Sequence, residues 1–389
     1  MSREGSPPPT AAAKSLMPRA FARGAGWRRG LNNWWGSMPK YSRWSVLALF
    51  LAFVYALPSL GLPLIPTVES DFTSVLALNV VPYVLIALGL NVVVGMAGLL
   101  DLGYVGFYAT GAYALAILTS KHATIPWLLA IPLAVLISML AGVLLGAPTL
   151  RLRGDYLAIV TLGFGEIIRL LAKSSEWMGS AAGIGNIKSP PNVGPLKFGG
   201  TIQERNLAFY YLAVTLVIIT FFFLRRLENS RVGRSWTAIR EDEDAAELMG
   251  VPTFKFKLWA FAIGAAIGGL AGTLYASNVR FINPDNFLLK LSILFLAAVV
   301  LGGPGNMAGV ILGAILVSYV PERLRFLDDA RYFIFGVLLM VMMVFRPQGI
   351  LPRKLKARRQ EVDSRDADAS PFFDVSEGSP DLEGGASHV

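Results

Sequence analysis

The chain has no cysteine and only two histidines, His122 and His388. Disulfides, iron–sulfur clusters and thiol catalysis are therefore excluded, and two histidines are too few for a histidine-rich zinc or haem site. The sequence also has no Gly-Lys dipeptide, so it has no Walker A phosphate loop. We expect no metal site and no cofactor in this chain, and any ATP that drives it must be hydrolysed by another protein.

Charged residues are scarce as well, at 16% of the chain, whereas 54% of the residues are hydrophobic and the mean hydropathy is +0.54. Apolar runs near the roughly 20-residue length that spans a bilayer recur along the sequence. Because backbone groups in lipid must be hydrogen-bonded within their own segment, each run is predicted to be a helix. We predict an all-α, polytopic transmembrane bundle of about ten spans: 44–65, 75–95, 97–119, 126–145, 156–171, 207–224, 258–276, 288–301, 308–320 and 332–345.

The basic residues orient this bundle. Four regions are rich in Lys and Arg: 1–43, 151–153, 225–257 and the residues after 345. Ten spans place all four regions and both termini in the cytoplasm. Only the loop 321–331 conflicts with the orientation that the basic residues indicate. Outside the permease domain at 44–352, the basic tail 1–43 is predicted to be disordered or a membrane-surface helix. The acidic tail 353–389 is predicted to be disordered.

Two predicted spans, 288–301 and 308–320, are short and flank the sequence GGPGN at 302–306. No helix continues unbroken through this sequence. The two spans form either a hairpin of short tilted helices or a re-entrant pair. The distribution of charged residues does not distinguish these alternatives. Broken helices at membrane depth are buried or line a cavity. The segment is therefore a candidate for the transport pathway, with a structural kink as the alternative.

Ionisable and polar groups inside the predicted spans are costly and therefore informative. Asp101 is predicted four residues into the third span, between Asn91 and Tyr104. Glu166 and Arg169 are three residues apart, so they share a helix face and can pair. These five residues are predicted to line the translocation path. The alternative is that they stabilise the bundle, through a local ion pair and a carboxylate near the membrane surface.

Glycines also recur at helix-packing spacing, at 264, 268 and 272, at 142 and 146, and at 309 and 313. Such faces let helix backbones approach closely in lipid. They predict either packing within the chain or an interface between subunits.

An acidic segment, REDEDAAELMG at 240–250, lies between the predicted sixth and seventh spans. A helix is predicted at about 235–250, begun by Ser235 and ended by Gly250 before Pro252. On a helical wheel four apolar residues share one face: Trp236, Ile239, Ala246 and Met249. The helix is either a solvated connection or a docking element for a separate protein. The docking interpretation predicts that Ala246→Arg uncouples transport.

The run DAAELMG at 244–250 resembles the Glu-Ala-Ala-x-x-x-Gly loop of ABC-importer permeases, with Asp244 in place of the glutamate. The Ile-x-Leu-Pro that completes the pattern is absent. Three longer stretches, 88–118, 150–171 and 240–276, are similar to LivM-type permeases of branched-chain amino acid importers. The resemblance covers residues 75–352, although the loop after Trp177 reads GSAAGIGNI rather than the Gly-Gly-Pro-like turn of many relatives.

The resemblance implies a multi-pass subunit of a complex in the bacterial inner membrane. Its partners would be a LivH-like second permease, two P-loop subunits that bind ATP and magnesium, a periplasmic substrate-binding protein and membrane lipid, with no nucleic acid. Such a chain is a transporter subunit rather than an enzyme. The coupling helix at 235–250 would contact the ATPase through Trp236, Ile239, Arg240, Glu241, Glu243, Asp244, Ala245, Ala246, Met249 and Gly250.

Other functions remain open at this point. Relatives with similar motifs carry other amino acids, urea or short amides. An autonomous secondary transporter would need its own ion site and internal repeats. For these the sequence offers only the carboxylates Asp101 and Glu166 and the weak likeness of VVGMAG at 93–98 to VLGGPG at 300–305. A membrane-embedded enzyme would need a nucleophile–base pair or a metal cluster, and the sequence has neither.

Overall fold

A computed structural model describes residues 49, 51–58, 72–120, 123–150, 152, 154–192, 194, 196–323, 330–346 and 349–351. The chain divides into two compact units, Met1–Pro66 and Thr67–Val389. In the first unit, residues 51–56 are helical. Both predicted tails, and most of the first predicted span, lie outside the described residues.

The described part of the second unit is built mainly from helices. They are α1 (Phe72–Met96), α2 (Tyr104–Thr119), α3 (Trp127–Thr149), α4 (Asp155–Ser174), α5 (Ile202–Glu228), α6 (Arg231–Glu241), α7 (Glu243–Leu248), α8 (Thr253–Val279), α9 (Leu289–Gly302), α10 (Met307–Arg323) and α11 (Ala330–Phe345). Strands β1 (Ile184–Gly185) and β2 (Phe281–Ile282) pair antiparallel. Short 3₁₀ turns occupy Glu176–Met178, Ser180–Ala182 and Pro284–Phe287.

The nine predicted spans from 75–95 onward each correspond to a helix. Five helical segments of the described part are long and apolar enough to cross a membrane: α1, α3, α5, α8, and α9 with the 3₁₀ turn before it. Helix α2 is apolar but shorter. The total of ten spans and the cytoplasmic position of both termini stay predictions.

The third span begins later than predicted. Residues 97–103 are not helical, and α2 starts at Tyr104. Gly98 has φ +76°, a left-handed conformation that glycine adopts without strain and that interrupts a helix. Asp101 therefore lies in the connection before α2 and not four residues inside a helix.

The core of this unit is formed where α8 packs against α1, α2 and α3. Glycines make this approach possible. An added Cβ on Gly264 would lie 2.6 Å from the Val93 side chain of α1, and one on Gly268 would lie 3.1 Å from the Tyr104 ring of α2. Likewise, a Cβ on Gly142 of α3 would lie 2.5 Å from the Ala265 Cβ. The predicted glycine faces are thus used for packing within the chain.

Helix α1 is not α-helical throughout. Leu76–Val80 and Asn91–Met96 are π-helical, and the second stretch ends the helix. A π-helical turn is rare and places backbone groups differently from an α-helix. The end of α1 and the GGPGN turn between α9 and α10 contact each other, and both contact Arg240 of α6, in the region of the candidate site.

Candidate functional site

The connection between α5 and α8 contains two short helices and not the single helix predicted at about 235–250. Helix α6 begins after Ser230, whose hydroxyl accepts a hydrogen bond from the Gly233 N–H at 3.4 Å, so it passes through the predicted start at Ser235. Asp242 is extended, and its carboxylate accepts from the Ala245 N–H at 3.0 Å. An aspartate that caps a helix needs non-helical backbone, so Asp242 ends α6 and begins α7.

This break divides the predicted apolar face. Trp236, Ile239 and Ala246 are buried within the chain, and the Trp236 indole N–H donates to the Phe256 carbonyl at 2.7 Å. Met249 instead is 85% exposed. The four residues therefore do not share one exposed face.

The exposed end of α7 is apolar at its tip and acidic around it. Leu248 is 89% exposed and lies beside the exposed Met249 and Gly250. We call Leu248 and Met249 the apolar tip. The other exposed residues around it are Glu241, Asp242, Asp244, Ala245 and Glu247.

An ion pair fastens α7 to the bundle, and a glycine ends it. Glu243 forms an ion pair with Lys257 of α8, and the Lys257 side chain is almost fully buried. Gly250 has φ +83°, and its N–H donates to the Glu247 carbonyl at 2.9 Å, which ends the helix as predicted. The apolar tip is thus presented by a helix fastened to a long apolar helix of the bundle.

Arg240 points into its own chain and not toward the tip. Its guanidinium donates to the carbonyl of Gly95 and, at 3.5 Å, to the carbonyl of Pro304. Beside it, the Asn91 Oδ1 accepts from the Gly305 N–H at 2.8 Å. We call these five residues the glycine junction. Sequence reasoning missed it; the only available signal was the likeness of VVGMAG to VLGGPG.

Three of the predicted pathway residues are buried. Asn91 belongs to the glycine junction. Asp101 accepts from the Gly103 N–H at 2.9 Å through Oδ1, while its buried Oδ2 has no hydrogen-bond partner among the described residues. The Tyr104 hydroxyl donates to the Gly264 carbonyl at 2.7 Å. Each of these side chains thus has a structural contact inside the bundle.

Glu166 and Arg169 form the predicted pair. The Arg169 Nε lies 3.0 and 3.1 Å from the two Glu166 oxygens, and its Nη1 lies 3.6 Å from Asp285. Both side chains are partly exposed. Helix α4 also exposes large apolar side chains: Tyr156, Ile159, Val160, Ile167, Leu170 and Leu171. The five predicted pathway residues therefore fall into a buried group and a surface pair.

A family of known proteins matches the part of the chain that contains the candidate site. Residues 72–344 match the family described as "Branched-chain amino acid transport system / permease component". The chain belongs to this permease family. The match spans α1 to α11 and includes the glycine junction and the apolar tip.

Individual relatives agree with this assignment. The permease is 44% identical over 289 residues to the high-affinity branched-chain amino acid transport system permease protein LivM of Salmonella typhimurium, covering 69% of this chain and 68% of that one. It is 28% identical over 297 residues to the probable LivM of Methanocaldococcus jannaschii, covering 68% of this chain and 84% of that one. It is 28% identical over 224 residues to the autoinducer 2 import system permease LsrC of Yersinia pseudotuberculosis, covering 54% and 60%. No solved structure matches the permease.

Proposed function

We propose that this permease is the LivM-like membrane subunit of an importer that carries leucine, isoleucine, valine or related amino acids into the bacterial cytoplasm across the inner membrane. The identity of 44% to a LivM protein over most of both chains supports this substrate class. A permease for urea, short amides or other amino acids is the alternative, and the likeness to LsrC is consistent with a family of varied substrates.

The same proposal assigns the partners. A LivH-like second permease, two P-loop ATP-binding subunits and a periplasmic binding protein would complete the complex. ATP and magnesium would be bound by the ATPases, and no bond is made or broken in this chain. Asn91, Asp101, Tyr104, Glu166 and Arg169 remain our proposal for polar groups along the path.

The observation that carries the coupling proposal is the apolar tip. Two large apolar side chains are 89% and 85% exposed at the end of a short helix whose other exposed residues are mainly acidic. Exposed apolar groups rimmed by polar residues mark interaction sites. An apolar tip can fill a groove in an ATPase while the surrounding acids pair with bases on its rim. The docking residues are then Leu248 and Met249 with the exposed acids, in place of the buried Trp236.

This geometry also changes the best test of docking. Ala246 is buried within the chain, so Ala246→Arg would disturb the packing of α7 itself. A substitution at the exposed tip leaves that packing intact and is the sharper experiment.

The experiment compares Leu248→Asp/Met249→Asp with the matched apolar control Leu248→Met/Met249→Leu in the full complex. We expect the aspartate variant to lose the co-purifying ATPases and ATP-driven uptake of labelled leucine, and the control to keep both. Competition by isoleucine, valine and urea in the wild type then tests the substrate class. Normal ATPase recovery and uptake in the aspartate variant would show that the tip is not the docking site. Purification of the wild-type chain without any ATPase would favour an autonomous transporter.

A further inference from the structure

Arg240 connects the two helix ends of the glycine junction. Helix α1 ends at Met96, so the Gly95 carbonyl is among the last four carbonyls, which have no intrahelical N–H partner. Helix α9 ends at Gly302, and the Pro304 carbonyl lies in the turn just beyond it. Both helix ends carry partial negative charge, and a single guanidinium donates to carbonyls at both.

The junction is closely packed around this guanidinium. A Cβ on Gly98 would lie 2.8 Å from the Arg240 Cγ, and a Cβ on Gly95 would overlap the Asn91 side chain. The Gly305 N–H donates to Asn91 at 2.8 Å, which ties the GGPGN turn directly to α1. The two helix ends are therefore joined by a direct hydrogen bond as well as through Arg240.

The segment after α11 is hydrogen-bonded to residues next to the glycine junction. The Ile350 N–H donates to the Leu301 carbonyl at 2.9 Å, and the Leu351 N–H donates to the Gly302 carbonyl at 3.1 Å. The Asn306 side chain donates to the Leu351 carbonyl at 2.9 Å. The ends of α1 and α9, the start of α10 and this segment thus form one hydrogen-bonded group.

Helices α6 and α7 have two separate connections to the bundle. Trp236 and Glu243 bond to Phe256 and Lys257, near the start of α8. Arg240 bonds to the ends of α1 and α9. The first connection positions the apolar tip, whereas the second holds α6 against the ends of α1 and α9.

We propose that Arg240 is a positioning residue that transmits movement of α6 and α7 to the glycine junction, so that the ends of α1 and α9 move with the docked ATPase. The proposal rests on the proposed function and adds to it the place in the bundle where movement enters. Without Arg240 the tip still docks, but ATP hydrolysis no longer moves these helix ends.

The test uses the full complex in proteoliposomes with Arg240→Gln and Arg240→Lys. Lys keeps the positive charge at the helix ends but presents a compact ammonium in place of the planar guanidinium. Arg234→Gln is the matched control, because Arg234 is exposed on the same helix. We measure ATPase recovery, the melting temperature and the ratio of amino acid taken up to ATP hydrolysed.

We expect both Arg240 variants to retain the ATPases, with the uptake-to-ATP ratio at least tenfold lower for Gln and intermediate for Lys, at an unchanged melting temperature for Lys. Arg234→Gln should match the wild type. The proposal is overturned if both Arg240 variants keep the wild-type ratio, or if they lose the ATPases, which would make Arg240 a docking residue. Retention of the ATPases by the Leu248→Asp/Met249→Asp variant would instead count against the apolar tip as the docking site, so the two failures are distinguishable.

Discussion

The close packing of α3 against α8 can be tested by adding a single methyl group. In Gly142→Ala the new Cβ would lie 2.5 Å from the Ala265 Cβ and 3.0 Å from the Phe261 carbonyl oxygen. Ordinary contact begins near 3.4 Å, so the two methyl carbons overlap by about 0.9 Å. Neither Cβ can rotate away, because each is fixed to a helix backbone. The helices must therefore separate.

Overpacking of this kind costs about 1–3 kcal/mol, and the better helix propensity of alanine returns up to about 1 kcal/mol. We expect a net loss of about 1–2 kcal/mol, which lowers the melting temperature of the purified full chain in detergent by roughly 1–3 °C. Gly163→Ala in α4 is the matched control, because nothing lies within 4 Å of its new Cβ. That variant should be unchanged or more stable.

A second substitution tests the cause. Ala265→Gly in the Gly142→Ala background removes the methyl group that overlaps, so the double variant should recover part of the lost stability. The Phe261 carbonyl stays close and limits the recovery. If Gly142→Ala and Gly163→Ala shift the melting temperature equally, or if Ala265→Gly adds a further loss, the packing of α3 on α8 is not as described.

Three further predictions concern the candidate site. Trp236→Phe removes the hydrogen bond to the Phe256 carbonyl and should cost about 1 kcal/mol in thermal unfolding, and no change would mean that the bond is not formed. Lys257→Met leaves the Glu243 carboxylate without its ion-pair partner, so limited proteolysis at 241–252 should become faster than in the wild type, whereas an unchanged rate would show that the pair does not hold α7. Glu166→Gln breaks a partly exposed ion pair and should change stability by less than about 1 kcal/mol, so a large loss of uptake would support a place along the path and unchanged uptake would reject it.

Structural features that depend on local sequence patterns were predicted well. Each apolar run from 75–95 onward contains a helix, since length and composition alone select helices in lipid. The Glu166–Arg169 pair follows from a spacing of three residues, and the end of α7 at Gly250 follows from the conformation that glycine allows. These features depend on residues within one or two turns of each other.

Features that depend on a competition between local structures were predicted less well. Asp242 was expected inside a helix, but its side chain caps α7 instead, because an aspartate can satisfy free N–H groups at a helix start. Asp101 was expected inside the third span, but it lies in the non-helical connection before α2, which contains Gly98. A helical wheel assumes an unbroken helix, so the apolar face drawn across residue 242 does not exist.

The sequence by itself determined that this is a helical membrane protein without a phosphate loop, with an acidic connection between two long helices, and the comparisons confirm its family. Only the tertiary structure decided which side of that connection faces outward and where Arg240 binds. Gly95 and Pro304 are far apart along the chain, and no periodicity or local propensity reports a contact between them. Such contacts are set by the packing of whole helices, whose ends carry unpaired carbonyls that a distant arginine can satisfy.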